Sequence, residues 1–236
     1  MAVILLSGGL DSATALAWAL RNLAPPHTCI SFDYGQRHDR ELLASQDLCS
    51  DSNLAPPQLF YMQNVFSIIG GSSLTSGVPR CIDAFPATFV PGRNLIMLSI
   101  AAGYAYTRGQ RDIVGGWNVL DYSGYPDCRP QFLTAARLAI NEALGLLPEH
   151  PVLRLEHAIW PTSAMAIHAP LLHLTKAQII LMGIDLRVQF GLTWSCYAGG
   201  AEPCGSCDSC KIRAAGFEAL GVPDPALRAP ESEPST

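Results

Sequence analysis

The N-terminal segment of this chain passes directly from an apolar run to a glycine turn and then to a helical pattern. Residues 2–6 (AVILL) are all apolar, which is typical of a strand buried on both faces of a parallel sheet. Ser7-Gly8-Gly9 follows this run, and the apolar spacing becomes helical from Asp11 or Ser12 onward. A strand, a glycine turn and a helix in this order predict a layered α/β fold with a binding site at the turn.

The same alternation continues along the chain. We predict further strands at 27–34, 58–62, 112–116 and 168–172, and helices at 39–50, 94–106, 130–144 and 175–182. Gly, Ser and Pro are frequent between 67 and 91, where we expect an irregular excursion. Strands that alternate with helices indicate an α/β fold, doubly wound around a mainly parallel sheet.

The length and charge of the chain exclude several classes of protein. Its 236 residues suit one domain, which we place at 1–221, with a Pro- and Ser-rich tail at 222–236 that we expect to be frayed. Its apolar runs are shorter than the roughly 20 residues that span a bilayer, and its start lacks a basic leader region. A net charge of −5 argues against nucleic-acid binding. We therefore expect a cytoplasmic protein with no membrane or nucleic-acid partner.

The glycine turn has the features of a phosphate-binding loop. Glycines let the backbone approach an anion closely, and the following helix start presents unpaired N–H groups to it. The chain lacks the lysine-bearing loop GxxxxGK[ST] and the dinucleotide fingerprint GxGxxG. The turn instead resembles the SGGxDS loop of the ATP pyrophosphatases, which implies binding of ATP phosphates. The alternative is an ordinary glycine turn with a Ser or Asp cap. The residues that would bind ATP are Ser7, Gly8, Gly9, Leu10, Asp11 and Ser12.

Four of the eight cysteines lie within fifteen residues near the C-terminal end. They are Cys196, Cys204, Cys207 and Cys210. Such dense spacing in a chain without a secretion signal favours a metal site over a disulfide framework. Four thiolates suit a structural Zn²⁺ ion, and we place the zinc-binding segment at 190–215. The CxxCxxC run also resembles part of an iron–sulfur ligand pattern, so a cluster is the competing interpretation.

Longer motifs make the resemblance specific. FDYGQRH at 32–38, FVPGRN at 89–94, DYSGYPDCRP at 121–130 and HAPLLHLTKAQI at 168–179 occur in this order. Together with the cysteine cluster they resemble the 7-cyano-7-deazaguanine synthase family over residues 1–221. This resemblance implies a fold of the ATP pyrophosphatase (adenine nucleotide α-hydrolase-like) type. It also implies a homodimeric ligase that uses ATP, Mg²⁺ and one structural Zn²⁺ per chain.

The reaction implied by the resemblance uses ATP twice. The family converts 7-carboxy-7-deazaguanine and ammonia to the nitrile through an acyl-adenylate and an amide. Catalytic roles then fall to Asp11, near Mg²⁺, to Lys176, near the leaving pyrophosphate, and to Arg93, an anion contact. The residues that would contact the deazaguanine substrate are Asn94, Asp121, Tyr122, Tyr125, Asp127 and Arg129. This chain departs from the family at Trp117, where a small or aliphatic residue is common, and Trp117 would reshape the pocket rim.

Two other functions compete with this interpretation. One is an ATP pyrophosphatase that adenylates a different acceptor, such as a deazaguanine acid destined for a protein amine. The other is a catalytically silent module that binds zinc and nucleotide. An intact SGGLDS loop together with Lys176 speaks against the silent module.

Overall fold

Five parallel strands form one sheet at the centre of the molecule. The computed structural model describes residues 1–36, 39–75, 85–119, 125–147 and 162–227. The strands are β1 (Ala2–Leu5), β2 (His27–Asp33), β3 (Gln58–Tyr61), β4 (Asp112–Val114) and β5 (Ala166–His168), in the sheet order β3-β2-β1-β4-β5. In the register, Ala2 of β1 lies beside His27 on one side and Asp112 on the other. The mainly parallel α/β sheet predicted from the sequence is thereby confirmed.

Helices cover both faces of this sheet. They are α1 (Leu10–Asn22), α2 (Arg40–Asp51), α3 (Gln63–Ile69), α4 (Arg93–Tyr106), α5 (Pro130–Ala143), α6 (Lys176–Asp185) and α7 (Asp208–Ala219). Successive side chains of β1 point into two different cores: Ile4 packs with Leu16 of α1 and Ile180 of α6, and Val3 packs with Leu98 of α4 and other residues of the second core. A strand buried on both faces explains the unbroken apolar run at the start of the chain.

The structure differs from the predicted elements in three places. The last strand is Ala166–His168 and not 168–172, because the chain turns after His168 and carries Leu171 into the core. Helix α3 begins just before the predicted irregular stretch and buries only Phe66. Helix α7 had no counterpart among the predicted helices, since a charged residue, Arg213, is part of its buried face.

The predicted frayed tail is corrected at its beginning. Asp224 is ion-paired with Arg213, with an Nε–Oδ2 distance of 2.6 Å, and Pro225–Leu227 form a short 3₁₀ turn. The ordered part of the chain therefore extends past residue 221, and residues 228–236 lie outside the described residues. Within the described residues, no helix combines the length and the apolar character needed to cross a membrane.

Candidate active site and metal centre

The glycine turn lies at the carboxyl end of the central strand and leads into α1. Gly8 has a φ of +88°, and a Cβ at this position would lie 2.1 Å from the carbonyl oxygen of Glu41. The turn thus requires glycine for both its conformation and its contact with α2. Ser7 Oγ donates to Ser12 Oγ at 3.1 Å, and Ser12 Oγ donates to the carbonyl of Gly9 at 3.0 Å.

The start of α1 is open to an anion. Gly9 is the N-cap residue, and no side chain in the described part of the chain caps this helix. The first-turn N–H groups therefore keep their hydrogen-bonding capacity and the positive end of the helix dipole. The Ser or Asp cap that the alternative of an ordinary turn includes is not formed.

Lys176 reaches the glycine turn from the start of α6. Its Nζ donates to Asp11 Oδ1 at 2.6 Å, and the two side chains are 13% and 31% exposed. Thr175 and Gln178 form a capping box that fixes the beginning of α6, and with it the position of Lys176. An ammonium group and a carboxylate are thus held side by side at the site where phosphates would bind.

A cavity of about 370 Å³ opens beside the turn. It lies where the sheet order reverses between β1 and β4, which is the usual ligand position in open α/β sheets. Gly116, after β4, allows α1 to approach closely, because a Cβ there would lie 2.8 Å from the carbonyl carbon of Asp11. The proposed site residues that border the cavity are Ser7, Gly9, Leu10, Asp11, Ser12, Arg93, Asn94, Tyr125 and Lys176.

Other proposed site residues lie elsewhere. Asp127 is buried next to Asn94 and Cys128, which border the cavity, and its Oδ2 accepts a hydrogen bond from the backbone N–H of Asn94 at 3.2 Å. Asp127 therefore helps to position the start of α4, and its expected contact with the substrate stays a prediction. Arg129 is exposed and precedes α5. The expected contacts of Asp121 and Tyr122 lie outside the described residues.

Arg93 and three tyrosines, Tyr34, Tyr125 and Tyr197, form a half-buried polar wall of the cavity. The guanidinium carbon of Arg93 lies 5.5 Å from the ring centre of Tyr34. Burial by itself lowers the pKa of Arg93, but Tyr34, Asp127 and the neighbouring tyrosines together raise it by more. The pKa of Arg93 is therefore raised overall, and Arg93 is cationic. The same burial raises the pKa of Tyr34 to about 12. The wall thus presents a positive charge and neutral phenol groups to a ligand.

Two other side chains that border the cavity, Trp117 and Cys128, are buried by packing against their neighbours. Trp117 is only 6% exposed, and its ring would lie 2.7 Å from a Cβ at Gly115, so it packs against the end of β4. Cys128 is buried, and burial raises its pKa to about 11. A buried, protonated thiol has the properties of a packing residue and lacks those of a nucleophile.

Sequence reasoning missed Glu41, in the first turn of α2. Glu41 borders the cavity, and burial raises its pKa to about 7, although the charge of Arg93 acts in the opposite direction. An acidic residue in the first turn of a helix is common because it complements the helix dipole. The sequence therefore held no signal that separated Glu41 from an ordinary surface residue.

The four clustered cysteines come together as a candidate metal centre. The Sγ atoms of Cys196, Cys204, Cys207 and Cys210 all lie within 4.8 Å of one another. Backbone N–H groups of Ala198 and Cys204 donate to Cys196 Sγ at 3.4 and 3.3 Å. Hydrogen bonds from Ser206 and from backbone N–H groups lower the pKa of Cys204 to about 6. Thiolates are the form that binds metal, so this donor set fits a metal ion.

Helix α7 connects the cysteine cluster to the cavity. Arg213 is buried, and besides Asp224 it donates to Thr193 Oγ1 at 2.7 Å and to Ser195 Oγ at 3.3 Å. Trp194 and Ser195 border the cavity directly. The metal-binding segment is therefore part of the cavity wall and not a separate appendage.

Fold and site together define a doubly wound α/β protein with a glycine turn and an uncapped helix start at the carboxyl end of its central strand. A family model described as "Queuosine biosynthesis protein QueC" matches residues 1–221. The chain belongs to this family. The resemblance noted in the sequence is thus confirmed over the residues where it was expected.

Curated relatives match nearly the whole chain. A protein of Thermoplasma acidophilum named 7-cyano-7-deazaguanine synthase is 44% identical over 95% of this chain and 90% of its own length. A protein of the same name from Oceanobacillus iheyensis is 42% identical over 95% of this chain and 96% of its own length. These relatives are named as enzymes, and they span this chain's sheet, cavity and cysteine cluster.

Among solved structures, the chain is similar to the U34-tRNA thiolase NcsA from Methanococcus maripaludis with its [4Fe-4S] cluster. The match covers 93% of this chain and 64% of that chain, at 16% sequence identity and a TM-score of 0.42. A likeness of this degree carries no argument about the chemistry of this chain.

Proposed function

We propose that this chain is an ATP-dependent ligase that converts 7-carboxy-7-deazaguanine and ammonia to 7-cyano-7-deazaguanine in queuosine biosynthesis. The observation that carries the proposal is the glycine turn with the uncapped start of α1 behind it and the Asp11–Lys176 pair beside it, all bordering the cavity. It occurs in a chain of the QueC family whose curated relatives bear the name of this enzyme.

Adenylation makes chemical sense of such a site. The substrate carboxylate attacks the α-phosphorus of ATP, and pyrophosphate leaves with the electron pair of the broken P–O bond. Ammonia then displaces AMP from the acyl carbon and loses a proton to leave the amide. The amide oxygen then attacks the α-phosphorus of a second ATP, which releases a second pyrophosphate, and one N–H proton is lost. Departure of AMP with the electron pair of the C–O bond and loss of the other N–H proton give the nitrile. In each half the enzyme has to position the reactants and neutralise charge on the departing groups.

The residues of the turn have distinct parts in this scheme. The N–H groups at the start of α1, with Ser7 and Ser12, bind the phosphates. Lys176 neutralises charge on the leaving pyrophosphate, and Arg93 faces the anionic carboxylate of the substrate. Asp11 is the carboxylate that would hold Mg²⁺, which supplies further charge neutralisation when bound. Asn94 and Tyr125 contribute to the wall against which the deazaguanine ring lies.

We assign one structural Zn²⁺ ion to the four cysteines. A tetrahedral ion with Zn–S bonds of about 2.3 Å holds its sulfurs about 3.8 Å apart. The observed spread, within 4.8 Å, supports one shared ion. In a [4Fe–4S] cluster each thiolate binds a different iron atom, and in a [2Fe–2S] cluster the thiolates bind two irons in pairs, so both clusters call for a wider spread of the four sulfurs. With all four positions filled by thiolates, the ion would hold the segment in place and take no part in catalysis.

We also propose a cytoplasmic homodimer that does not bind nucleic acid. The net charge of −5 supports the last point. An apolar surface at the edge of the sheet, where Ile68 is 85% and Tyr61 74% exposed, supports self-association through β3 and α3. Light scattering after gel filtration tests the dimer, and charge substitution at Ile68 should return it to a monomer.

The decisive experiment is incubation of the zinc-loaded protein with 7-carboxy-7-deazaguanine, ammonium, Mg²⁺ and ATP. Mass spectrometry should detect the nitrile, together with two AMP and two pyrophosphate per nitrile formed. An Asp11→Asn variant should form the nitrile, AMP and pyrophosphate much more slowly than the wild type. AMP without nitrile would point to a different acceptor, and the absence of nucleotide turnover would point to a binding module.

A further inference from the structure

The cavity wall carries one basic and one acidic side chain that are not paired with each other. Arg93 and Glu41 both border the cavity, and no ion pair between them, or between Arg93 and any carboxylate, occurs among the described residues. Arg93 packs against the ring of Tyr34, whereas the carboxyl group of Glu41 accepts no hydrogen bond within the same part of the chain. Polar groups withdrawn from water are costly unless they find partners, so the Glu41 carboxyl group is arranged for a ligand.

Aromatic side chains surround these charges. Tyr34, Tyr125 and Tyr197 all border the cavity, and Tyr34 and Tyr197 lie close enough to Glu41 for its charge to raise their pKa values, although burial raises them more. Tyr125 is held in place, because its hydroxyl lies 2.6 Å from Thr88 Oγ1. Flat apolar rings beside one acid and one base suit a planar heterocycle with donors on one edge and a negative charge on another.

We infer that Glu41 selects the deazaguanine ring by accepting hydrogen bonds from its ring N1–H and its 2-amino group. This inference rests on the proposed function. The two donor nitrogens are both bonded to C2 and their N–H bonds point in parallel directions, so they match the two oxygens of a carboxylate. The arrangement leaves the 7-carboxylate, on the other ring, free to approach Arg93 and the phosphate-binding turn.

The chemistry of the other two substrates fits Glu41 less well. The adenine edge of ATP offers an amino donor next to a ring nitrogen acceptor, and a carboxylate would repel that acceptor. Ammonium offers only hydrogen-bond donors, but it has no planar ring that could pack against the tyrosines. Glu41 would therefore distinguish the deazaguanine acid from the purine of ATP within one cavity.

The test measures binding apart from turnover. The zinc-loaded protein, with α,β-methylene-ATP present, is titrated calorimetrically with 7-carboxy-7-deazaguanine and with the analogue that lacks the 2-amino group. In the wild type the analogue should bind at least tenfold more weakly. In Glu41→Gln the deazaguanine acid itself should bind at least tenfold more weakly, and loss of the 2-amino group should then cost less than threefold. Asp47→Asn removes the same charge from an exposed position of α2 and should behave as the wild type.

A second variant shows whether weak binding by Glu41→Gln reflects a lost contact or a misfolded protein. Glu41→Asp keeps the carboxylate but withdraws it by one methylene, so it should bind more weakly than the wild type and still prefer the compound with the 2-amino group. An equal penalty for the analogue in the wild type and in Glu41→Gln overturns the inference. A changed affinity only for α,β-methylene-ATP, or a changed KM only for ammonium, does so as well.

The outcomes separate this inference from the proposed function. If the wild type forms the nitrile while Glu41→Gln shows no altered preference, only the role of Glu41 is wrong. If the wild type neither binds nor converts the deazaguanine acid, the proposed function fails and the inference fails with it.

Discussion

Gly8 combines a left-handed backbone conformation with a close contact to the neighbouring helix. In Gly8→Ala the new methyl group would meet the Glu41 carbonyl, so we expect a loss of about 3 kcal/mol or more in unfolding free energy. Gly92 is the matched control, since its φ is +72° but nothing lies within 4 Å of a Cβ there. Gly92→Ala should cost only about 1 kcal/mol. Urea unfolding compares the two, and equal losses would show that the contact at Gly8 is unimportant.

Lys176 is expected to act on the reaction rather than on folding. Lys176→Met keeps most of the side-chain volume but removes the charge beside Asp11, so AMP release in a single turnover should slow by about 10² to 10³-fold. Lys211→Met removes the same charge from an exposed position of α7 and should leave the rate unchanged. A slowing of less than threefold in Lys176→Met would remove this lysine from the mechanism.

Glu41 should also leave a signature in the pH dependence of stability. Its pKa is about 7 in the folded protein against an ordinary value of 4.5, with Arg93, Tyr34 and Tyr197 as the facing ionisable groups. Because the folded state holds this proton more tightly, the stability contributed by protonated Glu41 is lost as pH rises from about 4.5 through 7. Glu41→Gln should gain up to about 3 kcal/mol relative to the wild type between pH 5 and pH 8. Denaturant titrations at both pH values check this, and a difference that does not change with pH would contradict it.

At the scale of elements, the metal site should stabilise α7 and the cavity wall together. The indole N–H of Trp194 donates to the carbonyl of Cys196 at 2.9 Å, so Trp194 reports on the cluster. Removal of the metal should lower the melting temperature and abolish nitrile formation, while the far-UV signal of the sheet and the other helices persists. Re-addition of Zn²⁺ should restore both properties. Undiminished activity in metal-free protein would contradict a structural role for the ion.

Sequence patterns predicted the elements whose burial is apolar and periodic. β1, α4 and α5 were predicted within one or two residues of their observed bounds. β1 and α4 each bury an unmixed apolar face, and α5 buries an apolar face that is interrupted only by Asn141. Helix α7 was not predicted, because its buried face includes the charged residue Arg213. The partner of Arg213, Asp224, lies in the segment that we expected to be frayed. A buried ion pair between distant residues has no local signature in a sequence.

The same distinction applies to the candidate site. The glycine turn and the cysteine cluster are contiguous motifs, and the structure brings their residues together. The pairing of Lys176 with Asp11 was foreseen only in part, through the resemblance, since 165 positions separate the two residues. The function of Asp127 in positioning α4 and the presence of Glu41 in the cavity depend on tertiary packing alone.

At the scale of the whole molecule, the folded unit extends beyond the segment matched by the family model. A chain ending at residue 227 keeps Asp224, whereas one ending at 221 leaves the buried guanidinium of Arg213 without its carboxylate. We expect the longer truncate to unfold like the full chain and the shorter one to lose about 3 to 5 kcal/mol. Thermal and urea unfolding of both truncates provide the measurement. Equal stability would mean that Asp224 is dispensable.

The central place of β1 in the sheet determines when its two edges can pair while the polypeptide is being synthesised. During synthesis of this part of the chain, β1 gains its neighbour β2 after some 25 residues, but its other neighbour, β4, begins only at Asp112. Until then one edge of an entirely apolar strand has no partner in the nascent chain, and such edges invite association with other chains. The yield of active protein in a cell should therefore depend on how fast the first half of the chain is translated and on whether chaperones bind the nascent chain during that time.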